Sequence, residues 1–567
     1  MQGKIWEYKN KALSMEEIRQ FSADANVSPA LAVILLNRGI KTEKDLAAYM
    51  KKSLENIHNP FLLDGMEEAT ERILLAIENK EKIVIYGDYD VDGITATATM
   101  YKFLKTQGAQ VEYYIPDRFS EGYGINVIAV NKIAKSGATL MITVDCGITA
   151  VGEVEFAKTQ GLDVIITDHH TCREELPKAV AVINPKREDS SYPFSELAGV
   201  GVAFKVVLAL AVKLGIGTKD VFMDYVDLVA LGTVADVVSL SDENRVIVDK
   251  GMEAIKTSNN KGLCALMGAA GLAGKNIDAT SIAFFASPRL NAAGRLESAS
   301  LSVELMICED DARAEDIATH LEGLNSDRKR IEQEIYAEAL EKAEQFGEEQ
   351  LVYVISGEGW NHGVIGIVAS RLCEKFYRPC VLISVENGKG KGSGRSVPEM
   401  NLFDALSDSE ELLTAFGGHS QAAGLSINED KIDEFRIKIN NFAKNNVDKE
   451  KLVPKLLLDC NLEPTSVTMA SAKMIETLAP FGEGNEIPVF SMKGLEVVAV
   501  QTVGQDGKHL RLRLRRENNM FLAVGFGMGD LCKDISEGML VDIAFTMNIN
   551  TYQGNENLQL MLKDIKF

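Results

Sequence analysis

Residues 82–93 read KIVIYGDYDVDG, a short apolar run of β-strand character that leads directly into three aspartates and a glycine. A helix-like segment follows from Ile94. From about residue 81 to residue 190, short apolar runs alternate with helical segments in the same way, which is the pattern of a parallel α/β sheet. The further strands predicted are residues 111–115, 140–144 and 164–166, with residues 180–183 as a candidate fifth strand.

Acidic and imidazole side chains follow three of these predicted strands. Strand 82–86 ends at Asp88, Asp90 and Asp92, strand 140–144 ends at Asp145, and strand 164–166 ends at the Asp-His-His sequence 168–170. The carboxyl ends of parallel strands lie at one edge of an open sheet, where ligands bind. We therefore expect these side chains to lie close together at a single edge.

Carboxylates with one or two imidazoles are ligands for Mn²⁺ or Mg²⁺, and their number here suits two ions bridged by one carboxylate. Two such ions can clamp a phosphoryl group and activate a water, so the pattern predicts phosphodiester hydrolysis. Adjacent side chains diverge at a strand end, so one histidine can bind metal while the other faces the phosphate. The alternatives for the three aspartates are a helix-capping turn or a calcium loop. An EF-hand is excluded because no Glu stands at the twelfth position.

The chain continues into segments of different character. Residues 1–80 have a helical pattern, and residues 311–346 predict one or two long amphipathic helices. A second α/β unit is expected over about 351–445. Residues 452–567 are rich in predicted strands and turns, which favours a small β-barrel.

Composition describes a cytosolic globular protein of several domains: 567 residues, 46% hydrophobic and 25% charged. We expect neither a secretory signal nor a membrane span. The eight cysteines are scattered without a Cys-x-x-Cys pair, which argues against a disulfide scaffold and a structural zinc site. The net charge of −22 opposes a nucleic-acid partner, unless a basic groove is local on an otherwise acidic surface.

Two segments supply such local positive charge. Residues 388–396 read GKGKGSGRS, in which the missing side chains let backbone N–H groups approach phosphate oxygens and the interleaved cations add positive charge. The alternative is a flexible hairpin loop. Residues 510–515 read LRLRLR, which on a strand buries the leucines and presents Arg511, Arg513 and Arg515 on one face for a single-stranded backbone. Phe119, Tyr123 and Phe526 are stacking candidates, although packing explains each of them more simply.

These motifs together resemble the DHH phosphoesterase superfamily. GDYDVDG at 87–93, DCG at 145–147 and DHH at 168–170 look like its signature motifs, and ALGTVAD at 230–236 looks like the motif that supplies Asp236. GGH at 417–419 resembles the motif of the associated second domain. The similarity covers almost the whole chain, including WNHGVIG at 360–366, PRLNAAGR at 288–295 and FGEGN at 481–485.

The resemblance implies an α/β fold in which a parallel-sheet DHH catalytic domain (66–308) is joined by a connecting helix (309–350) to a DHHA1-type α/β domain (351–447). A helical appendage (1–65) precedes these domains, and a C-terminal OB-type β-barrel (452–567) follows them. It also implies two divalent ions, Mn²⁺ or Mg²⁺, one bound by Asp90 and Asp145 and the other by Asp92, Asp145, His169 and Asp236. His170 would contact or protonate the phosphate, with Asp88 as a ligand or its partner. Tyr86 stands where small-molecule members of the superfamily often carry a histidine.

The implied substrate-binding residues include the three barrel arginines. The others are Arg118, Asn291, Arg295, Arg371, Ser393, Arg395, Ser396 and His419.

The barrel makes this chain similar to the superfamily members that degrade single-stranded DNA from the 5′ end to 5′ mononucleotides in repair and recombination. On that hypothesis the partners are single-stranded DNA, a single-strand-binding protein and a helicase, and the chain acts as a monomer. Two alternatives stay open: a hydrolase of short oligoribonucleotides or cyclic dinucleotides, and a non-catalytic nucleic-acid-binding scaffold. The long connector and added barrel favour the first hypothesis because small substrates need no extended track.

Overall fold

The computed structural model describes residues 3–9, 13–118, 121–122, 124–347, 349–552 and 554–567. Phe119 and Tyr123 lie outside the described residues. The chain begins with a short strand and three helices: β1 (Ile5–Tyr8), α1 (Met15–Asp24), α2 (Pro29–Asn37) and α3 (Glu43–Lys51). Ser14 and Thr42 begin their helices with capping boxes, each accepting from a backbone N–H that the helix leaves unpaired.

The first large sheet has five parallel strands in the order β3-β2-β4-β5-β6. Its elements are α4 (Met66–Glu78), β2 (Lys82–Gly87), α5 (Val91–Thr106), β3 (Gln110–Tyr114), α6 (Val127–Lys135), β4 (Leu140–Val144), α7 (Val151–Thr159), β5 (Asp163–Thr167) and β6 (Ala181–Ile183). Both faces of the central strands are buried, as the continuous apolar runs require. The predicted parallel sheet is confirmed, including its fifth strand.

Helices then build the rest of the catalytic domain. They are α8 (Gly199–Lys213), α9 (Thr218–Ala235), α10 (Asp242–Ile255), α11 (Lys261–Ala269), α12 (Ala279–Ser281), a π-helical turn (Ile282–Ala286), α13 (Ser287–Leu296) and α14 (Ser300–Ile307). Helix α8 is apolar around nearly its whole circumference because it is buried in the core against α5 and α9. Among the described residues, no helix is both long and apolar enough to cross a membrane.

A single 34-residue helix, α15 (Asp311–Glu344), joins the catalytic domain to the second α/β domain. Its first half packs Ile317 and Leu321 into the catalytic core, and its second half packs Ile335 and Ala339 into the next core. The second domain contains β7 (Tyr353–Glu358), α16 (His362–Phe376), β8 (Cys380–Glu386), β9 (Lys389–Arg395), α17 (Leu402–Ser407), β10 (Leu413–Gly418), β11 (Ala422–Asn428) and α18 (Ile432–Asn446). Its strand order is β10-β11-β9-β8-β7.

The glycine-rich segment does not form a flexible hairpin loop, so that alternative is wrong. It is strand β9, paired along its length with β8 and β11. Its glycines face large apolar side chains: a Cβ at Gly390 would lie 2.7 Å from Cγ2 of Ile383, and one at Gly392 would lie 2.9 Å from the side chain of Leu425. Glycine is therefore needed for close packing, and the backbone N–H groups serve the sheet.

The C-terminal region is a closed five-stranded barrel, in which β14–β15–β16–β18–β17 pair in turn and β17 pairs back to β14. Its elements are β12 (Lys455–Leu458), β13 (Cys460–Asn461), α19 (Met469–Glu476), β14 (Phe490–Val503), β15 (His509–Arg516), β16 (Asn519–Gly525), β17 (Leu540–Tyr552) and β18 (Asn555–Lys566). The N-terminal segment joins this region: β1 pairs in parallel with β12, and Leu31 and Leu35 share a core with Phe490. The expected α/β architecture with an OB-type barrel is confirmed.

Candidate metal centre and nucleic-acid interface

The structure brings all seven predicted catalytic and metal-binding residues together at the carboxyl edge of the parallel sheet. Asp88 follows β2, Asp145 follows β4, and His169 and His170 follow β5. Asp90 is the N-cap of α5, and Asp92 lies in its first turn. Asp236 is the C-cap of α9, which brings a further carboxylate from the helical layer.

The ligand atoms form three overlapping groups, and within each group the atoms lie within 4.8 Å of one another. One contains Asp88, Asp90 and Asp145, another contains Asp92, His169 and Asp236, and a third joins Asp145 to both histidines. His169 Nε2 lies 3.2 Å from Asp145 Oδ1, 3.6 Å from Asp236 Oδ2 and 3.8 Å from Asp92 Oδ2. Asp145 thus lies between the first two groups.

The N-terminus of helix α8 fixes two of the carboxylates. The backbone N–H groups of Gly199 and Val200 donate to the two oxygens of Asp92 at 2.6 and 2.8 Å. A Cβ at Gly199 would lie 2.5 Å from Cβ and Oδ1 of Asp145, so only glycine allows this approach. Asp145 itself has φ +61, a conformation that non-glycine residues seldom adopt and that is common at functional sites.

Asp168 is the residue that orients the histidine pair. Its buried carboxylate accepts from the backbone N–H groups of His169 and His170 at 2.7 and 3.0 Å and from that of Ile148 at 2.9 Å. Nδ1 of His170 lies 2.7 Å from Asp168 Oδ1, so Nε2 is the ring nitrogen that does not contact Asp168. Burial lowers the pKa of His170, but the hydrogen bond and charge of Asp168 outweigh it, so the pKa is raised overall.

Crowding of the carboxylates defines the electrostatics of the cluster. Burial, followed by repulsion from neighbouring aspartates, raises the pKa of Asp88, Asp92 and Asp145 well above the ordinary range. The same two causes raise the pKa of Asp236 to about 7. Burial lowers the pKa of His169 to about 3, so this imidazole is a neutral ligand.

The donor set fits divalent cations. Within the cluster, five buried side-chain atoms have no hydrogen-bond partner among the described residues: Asp88 Oδ1, Asp145 Oδ1, Asp236 Oδ2 and both ring nitrogens of His169. Buried polar atoms without partners are rare and costly unless an ion or water completes them. Oxygen and imidazole donors without a thiolate match Mn²⁺ or Mg²⁺.

Three of the predicted substrate-binding arginines form a second cluster, between the catalytic domain and the second domain. Arg118 lies over the ring of Tyr89 at 4.9 Å, and Arg295 Nη1 donates to the carbonyl of Gly363 on α16 at 2.8 Å. Arg395 on β9 donates to Ser393 Oγ at 3.2 Å. Burial, then the charges of Arg118, Arg328 and Arg395, lower the pKa of Arg295 to about 10. Such a concentration of cations is a site for an anion.

The cluster opens into a groove of about 610 Å³. Arg118 and Ser393 line it with Lys391, His362 and Phe416. His362 is a functional candidate that the sequence did not single out, although the WNHGVIG motif contains it. Lys391 belongs to the 388–396 segment, whose cations the sequence did indicate. Lys186, just after β6, is a further candidate. Burial raises the pKa of Asp236, and the charge of Lys186 partly offsets that rise. Burial lowers the pKa of His169, and the charge of Lys186 lowers it further.

Other predicted substrate-binding residues lie outside the arginine cluster. Arg371 forms an ion pair with Glu332 at 2.7 Å and stacks on the ring of Tyr336. Ser396 Oγ donates to the carbonyl of Met400, and His419 forms the exposed turn between β10 and β11. Asn291 lies half-buried on α13, about one turn before Arg295.

The barrel arginines lie as the alternation predicts. On β15 the leucines are buried, and Arg511, Arg513 and Arg515 are exposed on the other face. Arg515 forms an ion pair with Glu496 at 2.8 Å. Phe526 is 64% exposed and contacts His509 edge to face at 4.9 Å, next to the start of this row.

Comparison with known proteins identifies the class. Family models match at residues 82–233 (DHH family, N-terminal domain), 348–445 (DHHA1 domain) and 458–564 (RecJ OB domain). The domain that contains the parallel sheet is thus a DHH-family domain.

The relatives narrow this class. A single-stranded-DNA-specific exonuclease RecJ of Bacillus subtilis is 38% identical over 99% of this chain and 70% of the relative, and that of Dickeya dadantii is 33% identical over 96% and 98%. The crystal structure of Thermus thermophilus RecJ in complex with Mn²⁺ has a TM-score of 0.85 at 29% identity, covering 99% of this chain and 79% of the other. A structure of the same protein with Mg²⁺ has a TM-score of 0.79. The chain belongs to the RecJ family.

Proposed function

We propose that this chain is a metal-dependent exonuclease that hydrolyses single-stranded DNA from the 5′ end to 5′ mononucleotides. The observation that carries the proposal is the pairing of two opposite clusters. Asp88 shares a ligand group with Asp90 and Asp145, and the charge of Arg118 acts on Asp88. Arg118 also lies over the ring of Tyr89, the residue after Asp88, at 4.9 Å. A phosphodiester placed between the clusters meets metal ligands on one side and guanidinium groups on the other. The names of the relatives support single-stranded DNA as the substrate.

Two ions fit the ligand groups, one with Asp88, Asp90 and Asp145 and the other with Asp92, His169 and Asp236, near Asp145. When bound, such ions polarise the phosphoryl oxygens and make a bound water nucleophilic at neutral pH.

Hydrolysis forms a bond from a water oxygen to phosphorus and breaks the bond from phosphorus to O3′ of the terminal nucleotide. His170 is suited to supply the proton that O3′ acquires, because Asp168 holds its ring and raises its pKa. Arg118, Arg295 and Arg395 bind and orient phosphates of the terminal nucleotides. Arg511 and Arg513 on the barrel then provide a continuation for the backbone of a longer strand.

The proposed setting is DNA repair and recombination in the cytoplasm. There the enzyme acts as a monomer on single strands exposed by a helicase and covered by a single-strand-binding protein.

The test is digestion of single-stranded DNA labelled at either end, with Mn²⁺, beside its duplex, an RNA of the same sequence and dinucleotides. Asp145→Asn removes the central ligand. Asp227→Asn is the matched control, since Asp227 is a buried carboxylate bonded to Ser258 outside the cluster. Release of 5′ mononucleotides from the 5′ end by wild type and Asp227→Asn, but not by Asp145→Asn, is expected.

Three outcomes would count against the proposal. Cleavage of dinucleotides or short RNA without digestion of DNA would assign the site to small substrates. Digestion from the 3′ end would reverse the polarity. Binding of DNA without hydrolysis by the wild-type protein would leave a non-catalytic scaffold.

A further inference from the structure

The residue after the metal ligand Asp236 has an unfavourable backbone conformation. Asp236 ends helix α9, and Val237 follows with φ +62 and 62% of its side chain exposed. Helices often end with a left-handed residue here, but that residue is usually glycine, and a β-branched side chain is a clear exception. Such a conformation persists only where neighbouring structure fixes it.

The neighbouring structure comes from the barrel region. The carbonyl of Glu483 accepts from the backbone N–H of Leu240 at 2.7 Å. Gly484 lies against Ser239, since a Cβ at Gly484 would be 2.2 Å from Ser239 Oγ. Leu240 is 3% exposed and packs into the core beneath the metal centre. The loop after Asp236 is therefore held from outside its own domain.

Residues 482–485, which we name the clamp turn, are themselves rigidly anchored. Gly482 and Asn485 exchange two backbone hydrogen bonds of 3.2 Å. The buried amide of Asn485 donates to the carbonyls of Leu478 and Pro480 at 3.0 and 2.6 Å. The hydroxyl of Tyr49 on α3 donates to Asn485 Oδ1 at 2.8 Å. The anchors thus belong to the N-terminal segment and the approach to the barrel.

We infer that the clamp turn is a positioning element for the metal centre: it holds the strained loop so that Asp236 presents its unpartnered Oδ2 to a cation. Asp236 reaches the centre from the end of a helix, whereas Asp92 is fixed by two backbone N–H groups. Loss of the clamp should therefore act on the ion held by Asp236, His169 and Asp92 and spare the ion held by Asp88, Asp90 and Asp145. The inference rests on the proposed two-ion site.

The test compares two glycine substitutions at the same backbone conformation. Gly484 has φ +68 and Gly494 has φ +64, but a Cβ at Gly494 would meet nothing within 4 Å. Mn²⁺ binding is measured by calorimetry on the full chain without DNA. The Asp236→Asn variant shows which of the two binding events belongs to the ion held by Asp236. Because groups that orient metal ligands commonly contribute 10–100-fold in affinity, Gly484→Ala should weaken that event by about ten-fold or more, and Gly494→Ala should leave it unchanged.

Two further variants keep the test decisive if Gly484→Ala folds poorly. Gly482→Ala pushes on the same loop more gently, since its Cβ would be 2.6 Å from the flexible end of Leu240. Ser239→Gly combined with Gly484→Ala removes the atoms that collide and should restore the affinity. Equal binding of both ions by wild type, Gly484→Ala and Gly482→Ala would overturn the inference. Absence of Mn²⁺ binding by wild type would instead count against the proposed function.

Discussion

Replacing Asp145 by asparagine should make the metal-free protein more stable while removing much of its response to metal. Asp145 is 2% exposed and lies in the same 4.8 Å group as Asp88 and Asp90. Burial and then the charges of other aspartates raise its pKa, so the ionised carboxylate is unfavourable there. Asparagine keeps the shape, lacks the charge, and tolerates the left-handed backbone at this position.

The magnitude follows from the geometry. Two full charges 4.8 Å apart repel by about 3.5 kcal/mol at an effective dielectric constant of about 20. Partial protonation of the cluster reduces this repulsion, so we expect a gain of about 1–3 kcal/mol. At about 2–4 °C per kcal/mol for a domain of this size, the melting temperature of the catalytic domain in EDTA should rise by about 2–12 °C.

In Mn²⁺, the wild type should be more stable than Asp145→Asn, which is the reverse of their order in EDTA. At 100 times its dissociation constant an ion stabilises the wild type by about 2.7 kcal/mol per site, and Asp145→Asn should gain less than half as much because it loses the ligand between both groups. The assay is a thermal melt of wild type, Asp145→Asn and the Asp227→Asn control in EDTA and in Mn²⁺. A variant less stable than wild type in EDTA, or stabilised equally by Mn²⁺, would refute the electrostatic reasoning.

Three further predictions test other parts of the site. Because burial and a neighbouring carboxylate raise the pKa of Asp236 from an ordinary value near 4 to about 7, its contribution to stability is present at low pH and is lost as pH rises through that range. In EDTA, the melting temperature of wild type relative to Asp236→Asn should fall from pH 5 to pH 8; a flat or rising difference contradicts this. His170→Gln should lower kcat by about 10²–10⁴-fold while both Mn²⁺ binding events remain in calorimetry, and loss of either event would make His170 a ligand instead. Joint replacement of Arg511 and Arg513 by alanine should weaken single-stranded DNA binding and reduce its salt dependence by about one unit of slope per lost phosphate contact. Arg515→Ala should change less because its guanidinium is already paired with a glutamate, and equal effects would contradict that assignment.

The metal centre could be predicted because its geometry follows from local sequence and one rule of topology. Apolar runs identify parallel strands, and parallel strands place their carboxyl ends at one edge. Asp88, Asp145 and His169 therefore converge whatever the rest of the chain does. Asp236 could be predicted as a ligand only from the family resemblance, because it lies at the end of a helix whose packing no local pattern specifies.

The substrate-binding residues were harder to predict from the sequence because the partners of a side chain come from distant segments of the chain. Arg371 is bound to Glu332 and Tyr336, which belong to another helix. Alternating glycine and cation in the β9 segment predicted either backbone access for phosphate or a flexible loop, but the glycines accommodate leucine and isoleucine side chains from elsewhere in that domain. The pairing of β1 with β12 joins segments about 450 residues apart, and neither segment carries a sequence pattern that predicts it.

The acidic total charge and the proposed DNA substrate are compatible because the uncompensated charges are grouped by sign into two local clusters. Many exposed acids are already paired on the surface, as Glu496 is with Arg515. One cluster holds the carboxylates whose pKa is raised by burial and by mutual repulsion. The other holds Arg295, whose pKa is lowered to about 10 by burial and by other arginines. On the proposed function, each cluster opposes folding until its complement binds, which would be divalent cations for the first cluster and phosphates for the second. A bound phosphodiester between metal ions and arginines relieves both at once, so the same repulsions that destabilise the empty protein favour the assembled complex.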